Sequence, residues 1–353
     1  GPTGTGKTEV FLQLADATLS QDRGVLYLVP EIALTRQVEQ DARARFGARC
    51  AIIHSRLTPA RKLAEWRRIA RKEARIVIGA RSAVFAPIPD LGLIIIDEEH
   101  DGGYKSGTTP RYQARQVAMH RASLANARLV MGSATPSPEA WQACKEGLIS
   151  RFSLSTRPAG GSFPTIHIID MRGHDSLISD ELIEAIREAK QAGRQSILFL
   201  NRRGFAHTFM CQTCGAELLC DHCSVPLTYH RSSGRLLCHY CGYSKPKPQA
   251  CPSCGSLDIS WASYGTERIE QELSERFVDL RVARLDTDVT SIRGSMEKTL
   301  HVFSHGEIDV LVGTQMVAKG LNFPGVRVVG ILMADQGLAM PDFRAGERVF
   351  SLI

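Results

Sequence analysis

The opening residues Gly1-Pro2-Thr3-Gly4-Thr5-Gly6-Lys7-Thr8 follow the pattern G-x-x-x-x-G-K-[ST]. Each residue type in it suits a polyphosphate. Glycines at 1, 4 and 6 let the backbone approach closely, so that successive N–H groups can wrap the β- and γ-phosphates of ATP. Lys7 reaches the β/γ oxygens, and the Thr8 hydroxyl can ligate Mg²⁺. A second constellation, Asp97-Glu98-Glu99-His100, ends the aliphatic run Leu91-Gly92-Leu93-Ile94-Ile95-Ile96. Beside bound nucleotide, an acid at such a strand tip holds Mg²⁺, which is the role expected of Asp97. The next carboxylate, Glu98, can activate the attacking water. A solvated acidic turn is the bland alternative, and the phosphate loop upstream argues against it.

The third constellation is made of sulfur. Eight of the ten cysteines fall into four Cys-x-x-Cys pairs: Cys211/Cys214, Cys220/Cys223, Cys238/Cys241 and Cys251/Cys254. Each pair brings two thiolates to one ion, and two such knuckles complete a tetrahedral zinc site without an open position. Eight ligands therefore imply two structural Zn²⁺ ions; a thioredoxin-like redox role needs one pair, not four. The 14-residue loop between Cys223 and Cys238 favours nested pairing, inner with inner and outer with outer, with sequential pairing as the alternative. His222 and His239 lie in or beside the knuckles and read as solvated or supporting groups. Cys50 and Cys144 stand apart, and both are expected as buried free thiols. The absence of a secretory signal and the clustering of thiols point to a reducing cytoplasm.

Parallel strands must position the first two constellations. Short apolar runs at Gly24–Val29, Ala74–Ile78, Leu91–Ile96 and Ala127–Met131 alternate with helical stretches at Glu9–Leu19, Arg36–Arg45, Pro59–Glu73 and Tyr112–Leu124. Such alternation is the doubly wound α/β arrangement, whose ligands sit beyond the carboxyl ends of the strands. A second series follows at Gln195–Leu200, Leu280–Leu285, Asp309–Val312 and Val326–Leu332, with a helix expected at Glu267–Phe277 and no second phosphate loop. The Pro- and Gly-containing stretch 157–175 reads as a linker. The expected organisation is therefore a first lobe at 1–156, the linker, and a second lobe at 176–353 carrying the zinc-binding insertion at 205–262.

Several residues have the chemistry for nucleic acid or for coupling it to the nucleotide. In Gly102–Tyr112, the aromatic and cationic Tyr104, Lys105 and Tyr112 suit stacking on bases and pairing with phosphates; a solvated loop with half-buried tyrosines is the alternative. Arg81 follows a strand in Gly79-Ala80-Arg81-Ser82. Thr135 lies in Gly132-Ser133-Ala134-Thr135-Pro136, whose hydroxyls can link the Mg²⁺ carboxylates to the rest of the protein. Gly313, Thr314 and Lys319 belong to Gly313-Thr314-Gln315-Met316-Val317-Ala318-Lys319-Gly320 at another strand end, where they could touch nucleotide or nucleic acid across a cleft.

Composition sets outer limits. Hydrophobic residues make up 43% of the 353 and charged ones 23%, an ordinary globular balance. No apolar run reaches the roughly 20 residues of a membrane span, so no membrane partner is expected. The formal charge of +6 is mild, and eight thiolates with two Zn²⁺ lower it further. The motifs, not the charge, argue for DNA.

Taken together, these residues resemble the PriA-type family of replication-restart DNA helicases. The resemblance rests on the phosphate loop, Leu28-Val29-Pro30-Glu31-Ile32-Ala33-Leu34-Thr35, Gly79–Pro87, Asp97–Asp101, Gly132–Ser137, Leu200–Gly204, the four knuckles, Gly265–Arg268, Gly313–Gly320 and Pro341–Arg348. It implies two RecA-like lobes, the superfamily 2 helicase motor, with a double zinc-ribbon-like insertion in the second. It also implies 3′→5′ unwinding driven by ATP and Mg²⁺ at stalled or recombinational forks, primosome assembly, and nested zinc pairing. The Tyr104–Tyr112 loop would couple DNA to ATP hydrolysis. Branched and single-stranded DNA, primosome proteins and single-strand-binding proteins are the implied partners, in a bacterial cytoplasm at the nucleoid. By motif match, Lys7 and Thr8 bind phosphate and Mg²⁺, Asp97 holds Mg²⁺ and Glu98 is the general base. The family's N-terminal DNA-binding domains and its arginine motif are not in these residues, so the chain reads as an internal piece, weakly active by itself. A superfamily 2 translocase without strand separation, and a zinc-dependent interaction module with a degenerate nucleotide site, remain the rival readings.

Overall fold

Branched aliphatic residues dominate the strands of the first unit, and burial on both faces of a sheet is what such runs are suited to. The structure, a computed structural model, describes residues 5–30, 36–55, 57–156, 164–172, 174, 176–200, 207–211, 213–223, 227–230, 234–238, 241–260, 266–285, 295–314, 323–338 and 342–353. The chain divides into two units, Gly1–Pro164 and Thr165–Ile353.

In the first unit, β1 (Gly24–Leu28), β2 (Cys50–Ile53), β3 (Ile76–Gly79), β4 (Leu91–Ile96) and β5 (Arg128–Met131) pair in the order β2-β3-β1-β4-β5. All the pairings are parallel. The helices are α1 (Lys7–Ser20), α2 (Arg36–Phe46), α3 (Pro59–Ala70), α4 (Ala114–Leu124) and α5 (Pro138–Lys145). Side chains alternate along β1, and this sorts two cores. Val25 and Tyr27 join Phe11 and Ala15 of α1 and Ala42 and Phe46 of α2 on one face. Leu26 and Leu28 join Ile69 of α3 and Ala114, Ala118 and Ala122 of α4 on the other. The alanines recur every fourth residue, one helix face of small side chains, which lets α4 lie close on the sheet. Strands were expected at four places here, and β2 is a fifth. Its four residues, Cys50-Ala51-Ile52-Ile53, are too short a run to be told from loop by pattern, yet all are buried.

Strand ends carry the expected motifs. Asp97 follows β4, Gly132 follows β5, and Gly6 opens α1. Gly132 admits no side chain, because a Cβ there would lie 2.3 Å from Cζ of Phe11. Of the two isolated cysteines, Cys50 is fully buried in β2, and burial pushes its thiol up to about 11. Cys144 corrects the expectation, being only half-buried on the last turn of the short, surface-lying α5.

In the second unit, α6 (Asp180–Gln191) is followed by β6 (Gln195–Leu200). The short strands β7 (His207–Thr208), β8 (Met210–Cys211), β9 (Thr228–His230), β10 (Arg235–Leu237), β11 (Ser244–Pro246) and β12 (Ile259–Ser260) then intervene. The α/β pattern resumes with α7 (Thr266–Arg276), β13 (Val282–Leu285), α8 (Ser295–Ser304), β14 (Val310–Gly313), β15 (Val326–Leu332) and α9 (Ala345–Leu352). The sheet order β13-β14-β6-β15 is parallel throughout. Its one buried amide is satisfied, since Gln195 Nε2 donates to the carbonyls of Phe303 and Ile308, 2.7 Å from each. Among the described residues, no helix is long and apolar enough to cross a membrane.

Candidate active site and metal centres

Helix α1 begins at Gly6, whose φ of 83° is the left-handed conformation glycine adopts freely. Gly6 has no side chain with which to cap this terminus, and the first-turn N–H groups of a helix are a ready anion site. Lys7, with a side chain 12% exposed, lies 3.4 Å from Glu98 Oε1. Glu98 itself has φ +45°, an uncommon conformation for a residue with a Cβ. That backbone turn places its carboxylate between Lys7 and His100, whose Nδ1 is 3.5 Å from Glu98 Oε2.

Asp97 is held from several sides. The Glu98 N–H donates to Oδ1 at 2.9 Å, and the Tyr27 hydroxyl donates to Oδ2 at 3.2 Å. Burial raises the Asp97 carboxyl, and the Glu98 charge adds to it; the Glu98 N–H, Lys7 and Tyr27 oppose them. Two neighbouring carboxylates in a partly buried setting are poorly compensated by one lysine. A divalent cation would supply the missing charge, and carboxylate with hydroxyl oxygen is the donor set Mg²⁺ prefers. The residues fit the group.

The third acid, Glu99, was not singled out from sequence, yet it is the most enclosed of the three at 4% exposed. Its Oε2 accepts from Arg115 Nη1 of α4 at 2.9 Å and from the Ser137 hydroxyl at 3.0 Å, and its Oε1 accepts from the Ser137 N–H at 2.7 Å. Ser137 is also the N-cap of α5, accepting from the Ala140 N–H. Glu99 thus fastens the acidic turn to α4 and α5. A third consecutive acid after an all-aliphatic strand was the available signal; Arg115 gave none. His100 Nδ1 lies 2.7 Å from Ser133 Oγ, and the Thr135 N–H donates to the same oxygen at 3.0 Å. Among the described residues, Thr135 Oγ1 is buried without a hydrogen-bond partner.

The aromatic loop divides against expectation. Tyr104 is 1% exposed and packs in the core, its hydroxyl donating to the Asp97 carbonyl at 2.7 Å. Its ring is closed to bases, because packing beneath the acidic turn consumes both faces. Tyr112 is half-buried, edge-on to Phe85 at 4.9 Å, with the Arg81 guanidinium 5.8 Å from its ring centre. Arg81 Nη1 also donates to the carbonyls of Gly103 and Lys105, at 3.1 and 2.6 Å. Lys105 is exposed. In the second unit, Gly313 is buried at the end of β14 and Thr314 follows it, half-buried. Gly1, Gly4, Lys319 and His239 lie outside the described residues.

The thiols resolve the pairing. Cys211, Cys214, Cys251 and Cys254 form one cluster and Cys220, Cys223, Cys238 and Cys241 another, with all sulfurs of a cluster within 4.8 Å of one another. Cys211 and Cys254 sulfurs are 3.6 Å apart, those of Cys214 and Cys251 3.7 Å, and those of Cys220 and Cys241 3.7 Å. A tetrahedral ion with Zn–S bonds of about 2.3 Å requires an edge of roughly 3.8 Å. Pairing is nested, and sequential pairing is excluded. Three knuckles end in Cys-Gly, and Gly215, Gly242 and Gly255 all have positive φ. Each glycine N–H donates back to the carbonyl of the first cysteine of its knuckle, at 2.8–2.9 Å. His222 stands edge-on to Tyr243 at 4.8 Å and belongs to neither cluster.

Residues 1–143 match the family model for DEAD/DEAH box helicases. Residues 220–246 match that for the PriA DNA helicase Cys-rich region, and 259–346 that for the helicase conserved C-terminal domain. The replication restart protein PriA of Treponema pallidum is 52% identical over 353 residues, which is all of this chain and 54% of that protein. The Bacillus subtilis protein of the same name is 45% identical over 358 residues, all of this chain and 44% of the relative. The chain therefore spans about half the length of these curated relatives. Among solved structures, the DUF1998 helicase MrfA bound to DNA superposes with a TM-score of 0.52 at 13% identity, covering 99% of this chain and 48% of that one; this supports the fold alone. With two RecA-like sheets, an insertion holding two four-cysteine clusters, and identity extending over the whole sequence, the chain belongs to the PriA family of replication-restart helicases.

Proposed function

We propose that this chain is the ATP-driven motor of a replication-restart DNA helicase that tracks 3′→5′ and opens branched DNA at stalled or recombinational forks for primosome assembly. The observation that supports this best is the convergence of Lys7, Asp97 and Glu98 beside the N-terminus of α1. The first-turn N–H groups and Lys7 hold the β- and γ-phosphates, and Thr8 with Asp97 holds Mg²⁺. When bound there, Mg²⁺ would neutralise phosphate charge. The phosphates draw Lys7 from Glu98, whose carboxylate then orients water and accepts its proton. His100 carries the state of Glu98 to Ser133 and Thr135. Arg81, Lys105 and Tyr112 face single-stranded or branched DNA, with Thr314 and Lys319 contributing from the second unit. Gly313 serves the nucleotide, and two Zn²⁺ ions order the insertion.

The test is ATP hydrolysis and forked-duplex separation by the whole protein, wild type against Glu98→Gln. Loss of a general base lowers turnover roughly 10²–10⁴-fold, and strand separation falls with it. Unchanged hydrolysis by the variant sinks the assignment of Glu98. Brisk DNA-stimulated hydrolysis without strand separation favours translocation instead.

A further inference from the structure

Tyr27 is an aromatic residue with a polar tip inside an otherwise aliphatic strand. It is 4% exposed, at the centre of the sheet, and its ring meets Phe11 edge-on at 6.0 Å. Core packing alone is served equally by phenylalanine. A buried phenol needs a partner for its O–H, and here the partner is Asp97 Oδ2 at 3.2 Å. The Thr8 side chain interacts with the same phenol. One hydroxyl therefore stands between the two residues assigned to Mg²⁺, one from the phosphate loop and one from the tip of β4.

The two oxygens of Asp97 are each held by one donor, Oδ1 by the Glu98 N–H and Oδ2 by Tyr27. Two donors on opposite oxygens fix the plane of a carboxylate, where one leaves it free to turn. The backbone donor is invariant to side-chain change; the phenol is the adjustable member. Nothing else described donates to Oδ2.

We propose that Tyr27 is a positioning residue of the Mg²⁺ site, its hydroxyl orienting the Asp97 carboxylate and the Thr8 hydroxyl for the ion that accompanies ATP. This rests on the nucleotide reading above. Its consequence is specific. Removing the hydroxyl weakens the hold on Mg²⁺ while the phosphate-binding backbone of α1 stays in place.

The experiment titrates Mg²⁺ into the zinc-loaded chain with a fluorescent ATP analogue, following nucleotide binding rather than turnover. A second readout is the affinity for Mn²⁺, measured by electron paramagnetic resonance. Tyr27→Phe should shift the Mg²⁺ midpoint upward roughly tenfold, the effect of one hydrogen bond to a charged group. The Mn²⁺ affinity should fall by a similar factor. Phe11→Leu, which disturbs the same packing without touching the oxygen, should move the midpoint less than twofold. A Tyr27→Phe midpoint within twofold of wild type overturns the inference, as does an equal shift from Phe11→Leu. Absence of Mg²⁺-dependent nucleotide binding by wild type overturns the nucleotide reading itself, and the inference with it. Equal thermal midpoints of wild type and Tyr27→Phe exclude misfolding as the cause of a shift.

Discussion

Every residue of β1, β2, β3 and β4 is buried, and two apolar cores flank that sheet. The cysteine-rich insertion has strands of only two or three residues, and among its described residues Phe209, Leu218, Leu227 and Leu236 are the buried non-cysteine apolar residues packed among its thiols. The first region carries the candidate catalytic groups on a scaffold that hydrophobic burial already holds. The second has too small a core to stand without ligand bonds. Rigid chemistry is built on the first, and metal replaces core in the second. Changes that separate these two sources of order should therefore affect one region and spare the other.

The largest effect is expected from removing the metal. Apparent zinc-binding free energies of about 10–16 kcal/mol are folding free energy in small zinc domains. Elemental analysis should find two zinc ions per chain, and none would overturn the comparison. With metal bound, of the ten cysteines only the half-buried Cys144 should react promptly with a thiol reagent, because Cys50 is enclosed. After strong chelation the eight clustered thiols should join it while Cys50 stays protected. If Cys50 reacted at the same rate as the eight, the first unit would depend on the insertion and the contrast would fail.

Next comes the buried pair in the first unit. Glu99 and Arg115 have side chains 2% and 15% exposed, and breaking such a pair by removing one partner costs about 3–5 kcal/mol. Glu99→Ala should lower the urea midpoint of the first unit by a corresponding amount. Zinc content and the slow reactivity of the clustered thiols should not change. The double variant Glu99→Leu/Arg115→Met should recover much of the loss, since an apolar pair leaves no uncompensated charge.

The metal-binding region was the more legible of the two from sequence, although its fold is the more irregular. Cys-x-x-Cys spacing is a local constraint, and four copies leave little freedom beyond the pairing. The sulfur distances then removed sequential pairing. In the first unit, the residues assigned to the nucleotide were proposed for the same reason: Lys7, Thr8, Asp97 and Glu98 sit in short contiguous patterns. Those acting at a distance were not. Arg115 reaches Glu99 across 16 positions and Tyr27 reaches Asp97 across 70, and no spacing rule announces either contact. Tyr104 shows the converse. Its neighbours Lys105 and Tyr112 suggested a stacking surface, but loop composition does not reveal which ring turns inward, and this one is anchored on the Asp97 carbonyl. The strand Cys50–Ile53 was lost to brevity.

A pH measurement sharpens the picture of the first core. Burial holds the Cys50 thiol up to about 11. An acid whose folded value lies above its unfolded one contributes stability that is complete at lower pH and disappears as the pH climbs between the two. For Cys50 that window runs from about 9 to about 11, and a two-unit shift corresponds to roughly 2–3 kcal/mol. Wild type should therefore lose more stability than Cys50→Ala as the pH is raised through this window. Parallel curves for the two proteins would mean that the thiol gains enough solvent to ionise in place.

The smallest expected effects allow the tightest comparison, because two helices in different units begin with the same device. Ser137 caps α5 by accepting from the Ala140 N–H, and Ser179 caps α6 by accepting from the Leu182 N–H. Loss of such a cap costs about 1 kcal/mol. For Ser179→Ala that should be the whole effect, read as faster amide exchange in the first turn of α6. Ser137 carries two further bonds, donating to Glu99 and accepting from Arg115 at 2.7 Å. Its removal leaves charged groups short of partners in a buried place, adding roughly 1–3 kcal/mol. Ser137→Ala should therefore cost more than Ser179→Ala, and the excess should vanish in a Glu99→Leu/Arg115→Met background. An excess that survives there would locate the cost in α5 itself. One that is absent from the start would mean that Glu99 is held by Arg115 and the backbone alone.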